Sequence, residues 1–451
     1  MRKIVLAGFR GTGKTSVGQI LAERLGVSFF DADALIERRA GMTIPEIFSR
    51  RGEAGFRDLE RGVIASLRDA NGVISTGGGA VCNPENVADL RWRGTVILLT
   101  APPDVIRDRI TGSDRPELTD LPPAEEVRAL LERRREAYLG AADACIDTGR
   151  RTPEEIADLI LQDDTISSAA MHERDVLLER FGLSELKSMV AHDPELRVCG
   201  IAGNPCAHSR SPLIYNRLFA HFGMRYHYTS IEWPDVGEIV RLASLLPTKG
   251  LSVTIPFKTD VMRHVDEVDD HAAAIGAVNT VVRCGDRLYG YNTDWIGVRT
   301  PLAHRRGERA VVLGAGGAAA AAAYALMSLD MDVSILARRP DAARRLAERF
   351  RCRWGALKDF RESGADVVVD ATPVGMDPDT RALLGPDDLE PGMTIFDLVY
   401  TPPETPLIRA AKRAGCEVIP GTEMFIHQAV AQFQLMTGIA VTPALIRGML
   451  Q

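Results

Sequence analysis

Residues Gly8 to Thr15, read Gly-Phe-Arg-Gly-Thr-Gly-Lys-Thr directly after the apolar run Ile4 to Ala7, have the types and spacing of a phosphate cradle. A triphosphate presents oxygens that need donors, and a Gly-rich turn feeding a helix offers backbone N–H groups at the positive end of the helix dipole. Gly11, Thr12, Gly13 and Ser16 belong to this turn, Lys14 would reach the β/γ-phosphates, and Thr15 would hold Mg²⁺. No Asn-Lys-x-Asp base-reading motif occurs in the chain, which disfavours a GTPase.

The acceptor must be sought among residues facing the γ-phosphate. Asp31 and Asp33 follow Phe29-Phe30, and strand alternation would project both carboxylates to one side at the carboxyl edge of a sheet. One could orient a Mg²⁺-bound water and the other an acceptor hydroxyl; in isolation, two helix-capping aspartates explain them equally well. Gly52 to Arg57 and the triplet Gly77, Gly78 and Gly79 follow, the latter closing the strand Val73 to Ser75. Glycines let backbone N–H groups approach a ligand, and an arginine fork holds a carboxylate at two points. The stretch Arg109 to Arg115-Pro116 reads as a lid whose arginine would neutralise transition-state charge.

A second constellation lies downstream. Ser209 and Ser211 stand two residues apart before a helix, where hydroxyls and helix N-terminus can bind a carboxylate; capping by Ser211 is the plain alternative. The strand Leu251 to Thr254 runs through Pro256 to Lys258, and two further strand ends supply Asn279 and Asp294. A carboxylate beside Lys258 would keep it an ammonium, able to donate a proton to the oxyanion formed when a nicotinamide hydride reaches a ketone.

These residues need elements to position them. Strand-like and helix-like segments alternate over 1–162, the pattern of an α/β unit. Residues 163–195 lose strand signals and read as a linker with one or two helices, too short for a domain. A second α/β pattern begins near Val198 and breaks near residue 300. There Ala310 to Leu313 enters Gly314-Ala315-Gly316-Gly317-Ala318 and an Ala-rich helix, followed by the strand Val333 to Leu336: a βαβ unit of dinucleotide-binding type. That strand leads to Ala337-Arg338-Arg339 without an acid to bind a ribose 2′-hydroxyl, so a 2′-phosphate and NADPH are favoured.

Composition narrows the classes. Apolar residues make up 45% of 451 residues and charged ones 25%, as in soluble globular proteins. A net charge of −7 argues against nucleic-acid or anionic-membrane partners. Seven scattered cysteines without Cys-x-x-Cys spacing suggest reduced thiols in a cytoplasmic protein and no zinc site. Neither a signal peptide nor an apolar run of spanning length is read, and oligomeric state is left open.

Taken together, residues 1–162 resemble shikimate kinase: P-loop, Asp-x-Asp, Gly-Glu-x-x-Phe-Arg, Gly-Gly-Gly, lid Arg-Pro and Arg134-x-x-x-Tyr138 occur in order. The resemblance implies that Asp33 holds the shikimate hydroxyl and takes its proton, while Arg57, Arg134 and the Gly77 to Gly79 backbone bind the acid. It assigns Asp31 and Thr15 to Mg²⁺, Arg115 to ATP, and Arg109 with Pro153 to the adenine. The lid reads Arg-Pro-Glu-Leu where the family commonly has Arg-Pro-Leu-Leu.

Residues 196–451 are similar to shikimate dehydrogenase. This implies substrate binding by Ser209, Ser211, Thr254, Asn279, Asp294, Tyr400 and Gln428, with Lys258 and Asp294 as catalytic pair. Leu398 and Gly421 lie in segments resembling those that close over nicotinamide. Ala337-Arg338-Arg339 stands where Asn-Arg-Thr is more frequent, and Pro373 where serine is common. The implied organisation is a P-loop kinase domain with a parallel sheet, then a two-lobed α/β dehydrogenase: substrate lobe 196–300, Rossmann-type NADP lobe 301–420, and C-terminal helices 421–451 returning to the substrate lobe. The expected protein reduces 3-dehydroshikimate with NADPH and phosphorylates the shikimate with ATP and Mg²⁺. Rival readings are a quinate dehydrogenase fused to another small-molecule kinase, and an ATP-sensing module controlling the dehydrogenase.

Overall fold

Three sheets organise the chain in a computed structural model that describes residues 3–110, 121–161, 168–193 and 195–450. The first holds β1 (Lys3–Ala7), β2 (Ser28–Asp31), β3 (Gly72–Ser75), β4 (Gly94–Thr100) and β5 (Ala144–Asp147), all parallel in the order β2-β3-β1-β4-β5. Val5, Leu6, Val73, Ile74 and Val96 are fully buried because helices cover both faces, which is why these strands read as continuous apolar runs.

The second sheet holds β6 (Arg197–Gly203), β7 (Tyr226–Glu232), β8 (Thr248–Val253), β9 (Glu267–Val268), β10 (Thr280–Cys284) and β11 (Arg287–Tyr291), in the order β7-β6-β8-β10-β11-β9. It is mixed: β10 runs antiparallel to both β8 and β11. The third holds β12 (Arg309–Leu313), β13 (Asp332–Ala337), β14 (Arg353–Ala356), β15 (Val367–Asp370), β16 (Thr394–Asp397) and β17 (Glu417–Ile419), all parallel in the order β14-β13-β12-β15-β16-β17. Helix Gly317–Met327 follows β12, and its buried alanines, 319 to 323 and 325, let it lie close on the sheet.

The segment between the two α/β units is docked. Helices Ser168–Arg180 and Ser184–His192 place Leu177, Leu178 and Leu186 in one apolar cluster with Val198, Leu242 and Leu245 of the second unit. Burying these leucines outweighs the freedom of a linker.

The two α/β units share a core. Val87, Tyr138, Leu139 and Ala141 of the first pack in one cluster with Cys199, Phe219, Phe433 and Met436 of the second. Helices Pro123–Ala141 and Gly421–Thr437 cross so closely that a Cβ on Gly140 would meet Gln434 O at 2.9 Å and one on Gly438 would meet Ala141 N at 2.9 Å. Beneath the crossing, buried Arg91 donates to Gly140 O and Thr437 O and pairs with Asp143, which also accepts from Tyr226 Oη at 2.9 Å. Burial would raise the Asp143 carboxyl, but Arg91 and the Val96 N–H hold it below the ordinary range. Lys249 donates to Leu139 O at 2.7 Å and to Ala142 O, and burial, with Arg91 nearby, pushes its ammonium down to about 7.

The cysteines depart from the sequence reading. Cys145 of β5 and Cys284 of β10 are joined as a disulfide, while Cys82, Cys199, Cys206, Cys352 and Cys416 are free thiols. The partners lie 139 residues apart in sequence, so spacing carried no sign of the pair.

Candidate functional site

Two sites lie at edges of these sheets, the first past the carboxyl ends of its parallel strands and the second past the ends of β8 and β11 and the start of β10. At the first, Gly8, Gly11 and Gly13 take φ of 137°, 82° and 87°, values that favour glycine, and turn β1 into helix Lys14–Leu25. No side chain caps that helix. Its terminal N–H groups are therefore presented to a phosphate. Lys14 Nζ donates to Phe9 O at 2.8 Å, and Thr15 Oγ1 donates to Asp31 Oδ2 at 2.9 Å. Ser16 is exposed in the first turn. Arg109 reaches the same loop, donating to Gly11 O at 3.3 Å and Thr148 O at 2.7 Å, while Pro153 opens the helix beyond Thr148. Arg115 lies outside the described residues.

The Asp-x-Asp pair is placed by a helix start, which changes the expected geometry. Asp31 ends β2 and caps helix Ala32–Ala40 through Ala34 N at 3.2 Å, whereas Asp33 lies in that helix's first turn. Strand alternation therefore does not align the two carboxylates. Asp31 is at once cap and Thr15 partner, and Asp33 turns toward the glycine triplet: a Cβ on Gly77 would meet Asp33 Oδ1 at 2.8 Å.

A half-open cleft lies here, lined by Asp33, Arg57, Glu60, Arg134, the three glycines and Phe48 among others. Arg57 pairs with Glu60 at 2.8 Å and Glu53 at 3.2 Å; Arg134 donates to Gly78 O at 3.1 Å and Tyr138 Oη donates to the same oxygen. Glu60 was not among the sequence candidates. Its Oε1 is buried without a hydrogen bond, and burial raises its carboxyl above the ordinary range despite Arg57. Its position three residues after Arg57, on the same helix face, was the available signal.

At the second site, Lys258 Nζ donates to Asp294 Oδ2 at 2.6 Å. Asn279 Nδ2 donates to Asp294 Oδ1 at 2.8 Å, and Asp294 N to Asn292 Oδ1 at 3.0 Å, fixing the carboxylate from several sides. A buried hydrogen-bond chain backs this pair. Thr280 Oγ1 donates to Asn279 Oδ1 at 2.8 Å, Gln432 Nε2 to Thr280 Oγ1 at 2.8 Å, and Ser252 Oγ to Gln432 Oε1 at 2.9 Å. Tyr228 Oη then bonds Ser252 Oγ at 2.6 Å and also Ser211. Lys258 and Ser211 are thus joined through one polar network. Gln432, Ser252 and Tyr228 escaped the sequence reading, although Gln432 follows Gln428 by one helical turn.

Ser211 does not cap its helix; it is the first helical residue, and its N–H donates to Ser209 Oγ at 3.2 Å. Gln428 bonds Thr293 at 3.4 Å. Tyr400 packs against Phe425 with ring centroids 5.1 Å apart and lies within the electrostatic reach of Arg210. Thr254 follows β8, its N–H on Ala202 O at 2.9 Å.

The dinucleotide turn meets this site. Gly314 has φ 110°, and helix Gly317–Met327 has no side-chain cap, so its N–H groups are open to a pyrophosphate with Ala315, Gly316 and Ala318 around them. A Cβ on Gly316 would meet nothing within 4 Å, whereas one on Gly317 would lie 3.9 Å from Lys258 Cδ. Gly421 lies against Leu398, so close that a Cβ on it would fall 2.7 Å from Leu398 O. Ala337 ends β13, and Arg338 and Arg339 are exposed beyond it.

The second unit has close relatives. Shikimate dehydrogenase (NADP(+)) of Methanopyrus kandleri is 38% identical over 271 residues, 55% of this chain and 93% of the relative. The chain belongs to the shikimate dehydrogenase family. Residues 201–281 match the shikimate dehydrogenase substrate-binding domain and 421–447 the shikimate 5′-dehydrogenase C-terminal domain, while residues 10–165 match shikimate kinase. The chain thus carries a shikimate kinase domain ahead of a shikimate dehydrogenase. Among solved structures, the Thermus thermophilus shikimate dehydrogenase in complex with NADP(H) and shikimate is 33% identical at a TM-score of 0.53, covering 56% of this chain and 98% of that one. Quinate dehydrogenase from Corynebacterium glutamicum in complex with NAD is 29% identical at 0.53, covering 56% and 98%. Among the described residues, no helix is long and apolar enough to cross a membrane.

Proposed function

We propose that the dehydrogenase unit reduces 3-dehydroshikimate with NADPH and that the kinase unit phosphorylates the resulting shikimate from ATP, in the cytoplasm. The observation that carries this reading is the Lys258–Asp294 pair at 2.6 Å, with the stem of Lys258 against Gly317 of the dinucleotide turn. NADPH supplies a hydride when bound. Lys258 donates a proton to the oxygen that becomes the hydroxyl, and Asp294, held by Asn279, keeps Lys258 in place and binds a ring hydroxyl. Ser209, Ser211, Thr254, Tyr400 and Gln428 hold the rest of the acid, and Arg338 with Arg339 receives the 2′-phosphate. Leu398 and Gly421 shape the nicotinamide side.

In the kinase unit, Arg57, Arg134 and the Gly77 to Gly79 backbone hold the shikimate carboxylate, and Asp33 accepts the proton of the attacking hydroxyl. Lys14 and the Gly11 to Ser16 backbone hold the phosphates, with Arg115 contributing from the lid and Arg109 with Pro153 flanking the base. Thr15 and Asp31, a hydroxyl and a carboxylate 2.9 Å apart, fit Mg²⁺, which takes few protein oxygens beside substrate phosphates. Magnesium neutralises phosphate charge when bound.

Initial rates of NADP⁺ reduction with shikimate and with quinate, beside shikimate-dependent ADP release, test the reading. Shikimate preference and ADP release support it. Quinate preference, or ATP binding without ADP release, overturns the corresponding half.

A further inference from the structure

The kinase and dehydrogenase sheets approach each other at one covalent point. Cys145 lies in β5, the edge strand of the kinase sheet, and Cys284 ends β10 in the dehydrogenase substrate sheet. Their Cα atoms are 5.6 Å apart, inside the range that a disulfide spans without moving the backbone. The approach is built into the hairpin that follows β10. Cys284 pairs with Arg287 across the turn Gly285-Asp286, and Gly285 has φ 61°. A Cβ on Gly285 would lie 3.2 Å from Cys145 O, so the absence of a side chain lets the hairpin tip rest on β5.

Both strands lead into catalytic machinery. One residue beyond β5, Thr148 accepts from Arg109, which also holds the phosphate loop. One residue before β10, Asn279 holds Asp294. The other five cysteines are free, and Cys199 and Cys206 are buried away from any sulfur partner among the described residues.

We propose that Cys145 and Cys284 form a redox-active modification site, a reversible disulfide that latches the kinase unit to the dehydrogenase unit. The inference is independent of the substrates assigned above. A small-molecule disulfide is the oxidant. Cys145, half-buried where Cys284 is 6% exposed, attacks it as a thiolate to give a mixed disulfide and one released thiol. The Cys284 thiolate then attacks the Cys145 sulfur and expels the second thiol. Two cysteine thiols are oxidised, one disulfide is reduced to two thiols, and the two cysteine protons pass to them. Reversibility rests on the cytoplasmic location proposed above, since cytosolic disulfides are transient or redox-sensing.

The test is equilibration of the full chain with oxidised or reduced glutathione, followed by unfolding, alkylation of the free thiols and peptide mass spectrometry. Reduced protein should take up seven alkyl groups, the full cysteine count. Oxidised protein should take up five, matching the free thiols, and should yield one peptide pair cross-linked at Cys145 and Cys284. Oxidation should also raise the melting midpoint, a shift kept in Cys352→Ser and abolished in both Cys145→Ser and Cys284→Ser. Seven alkylated cysteines after oxidation, glutathione retained on Cys145 without cross-linking, a different cysteine pair, or a melting shift that survives both serine variants would each overturn the proposal.

Discussion

The two pockets hold their charged side chains in opposite ways. In the dehydrogenase site, Asp294 receives Lys258, Asn279 and the buried chain behind them, so its geometry is set before any ligand arrives. In the kinase cleft Arg57 is engaged by carboxylates of its own helix, Glu60 and Glu53, while Arg134 is held by the Gly78 carbonyl. On the proposed reading, binding a substrate acid at Arg57 exchanges one carboxylate partner for another, whereas Asp294 is already aimed. The lesson is that preorganisation comes from the burial of the supporting shell, and the two units achieve it to different degrees.

Breaking the platform shared by both pockets should have the largest effect on stability. Arg91→Ala leaves Asp143 buried without its partner, and a charge stranded this way costs about 3–5 kcal/mol. Thermal unfolding should show a large loss, with both activities failing together on heating. If only kinase activity is lost, the shared core does not act as one unit.

A sharper contrast comes from Gln432→Leu. It removes the acceptor of Ser252 Oγ and of buried Tyr215 Oη, which donates to Gln432 Oε1 at 2.9 Å, and the donor to Thr280; an unsatisfied buried polar group costs about 1–3 kcal/mol. Dehydrogenase kcat should fall while the kinase KM for shikimate holds, measured on the same preparation below its melting range.

Lys249 makes the interface pH-dependent. Its folded value near 7 lies below that of a solvated lysine, so the unfolded chain binds the extra proton between pH 7 and about 10.4. Stability from this group therefore rises as pH increases through that window, and Lys249→Met should flatten the slope in denaturant titrations. Smallest of all, Glu53→Gln removes the exposed competitor for Arg57 and should lower the kinase KM by about twofold, since exposed pairs are weak.

Much of this was legible because local chemistry dictated it. Glycine at φ 82° and 87° before Lys14, and at 110° before the Ala-rich helix, marks both nucleotide turns by residue type alone. Lys258 and Asp294 were readable as strand-end residues. Their supporting chain was not, because Gln432, Ser252 and Tyr228 come from elements distant in sequence and resemble ordinary core polar residues. The Asp31 and Asp33 geometry was misread because the helix begins at Ala32, which replaces a two-residue period by a helical one. The Arg91 cluster and the cysteine pair depend on how one unit sits on the other, which sequence spacing does not encode.

Product analysis in one vessel tests the central claim, that separate pockets in one polypeptide handle the same acid in succession. With 3-dehydroshikimate, NADPH, ATP and Mg²⁺, the wild type should yield shikimate 3-phosphate. Lys258→Ala should lose on the order of 10²–10⁴ in the first step yet still phosphorylate added shikimate, and Asp33→Ala should accumulate shikimate. Loss of both reactions in either folded variant, or of neither, would contradict the account.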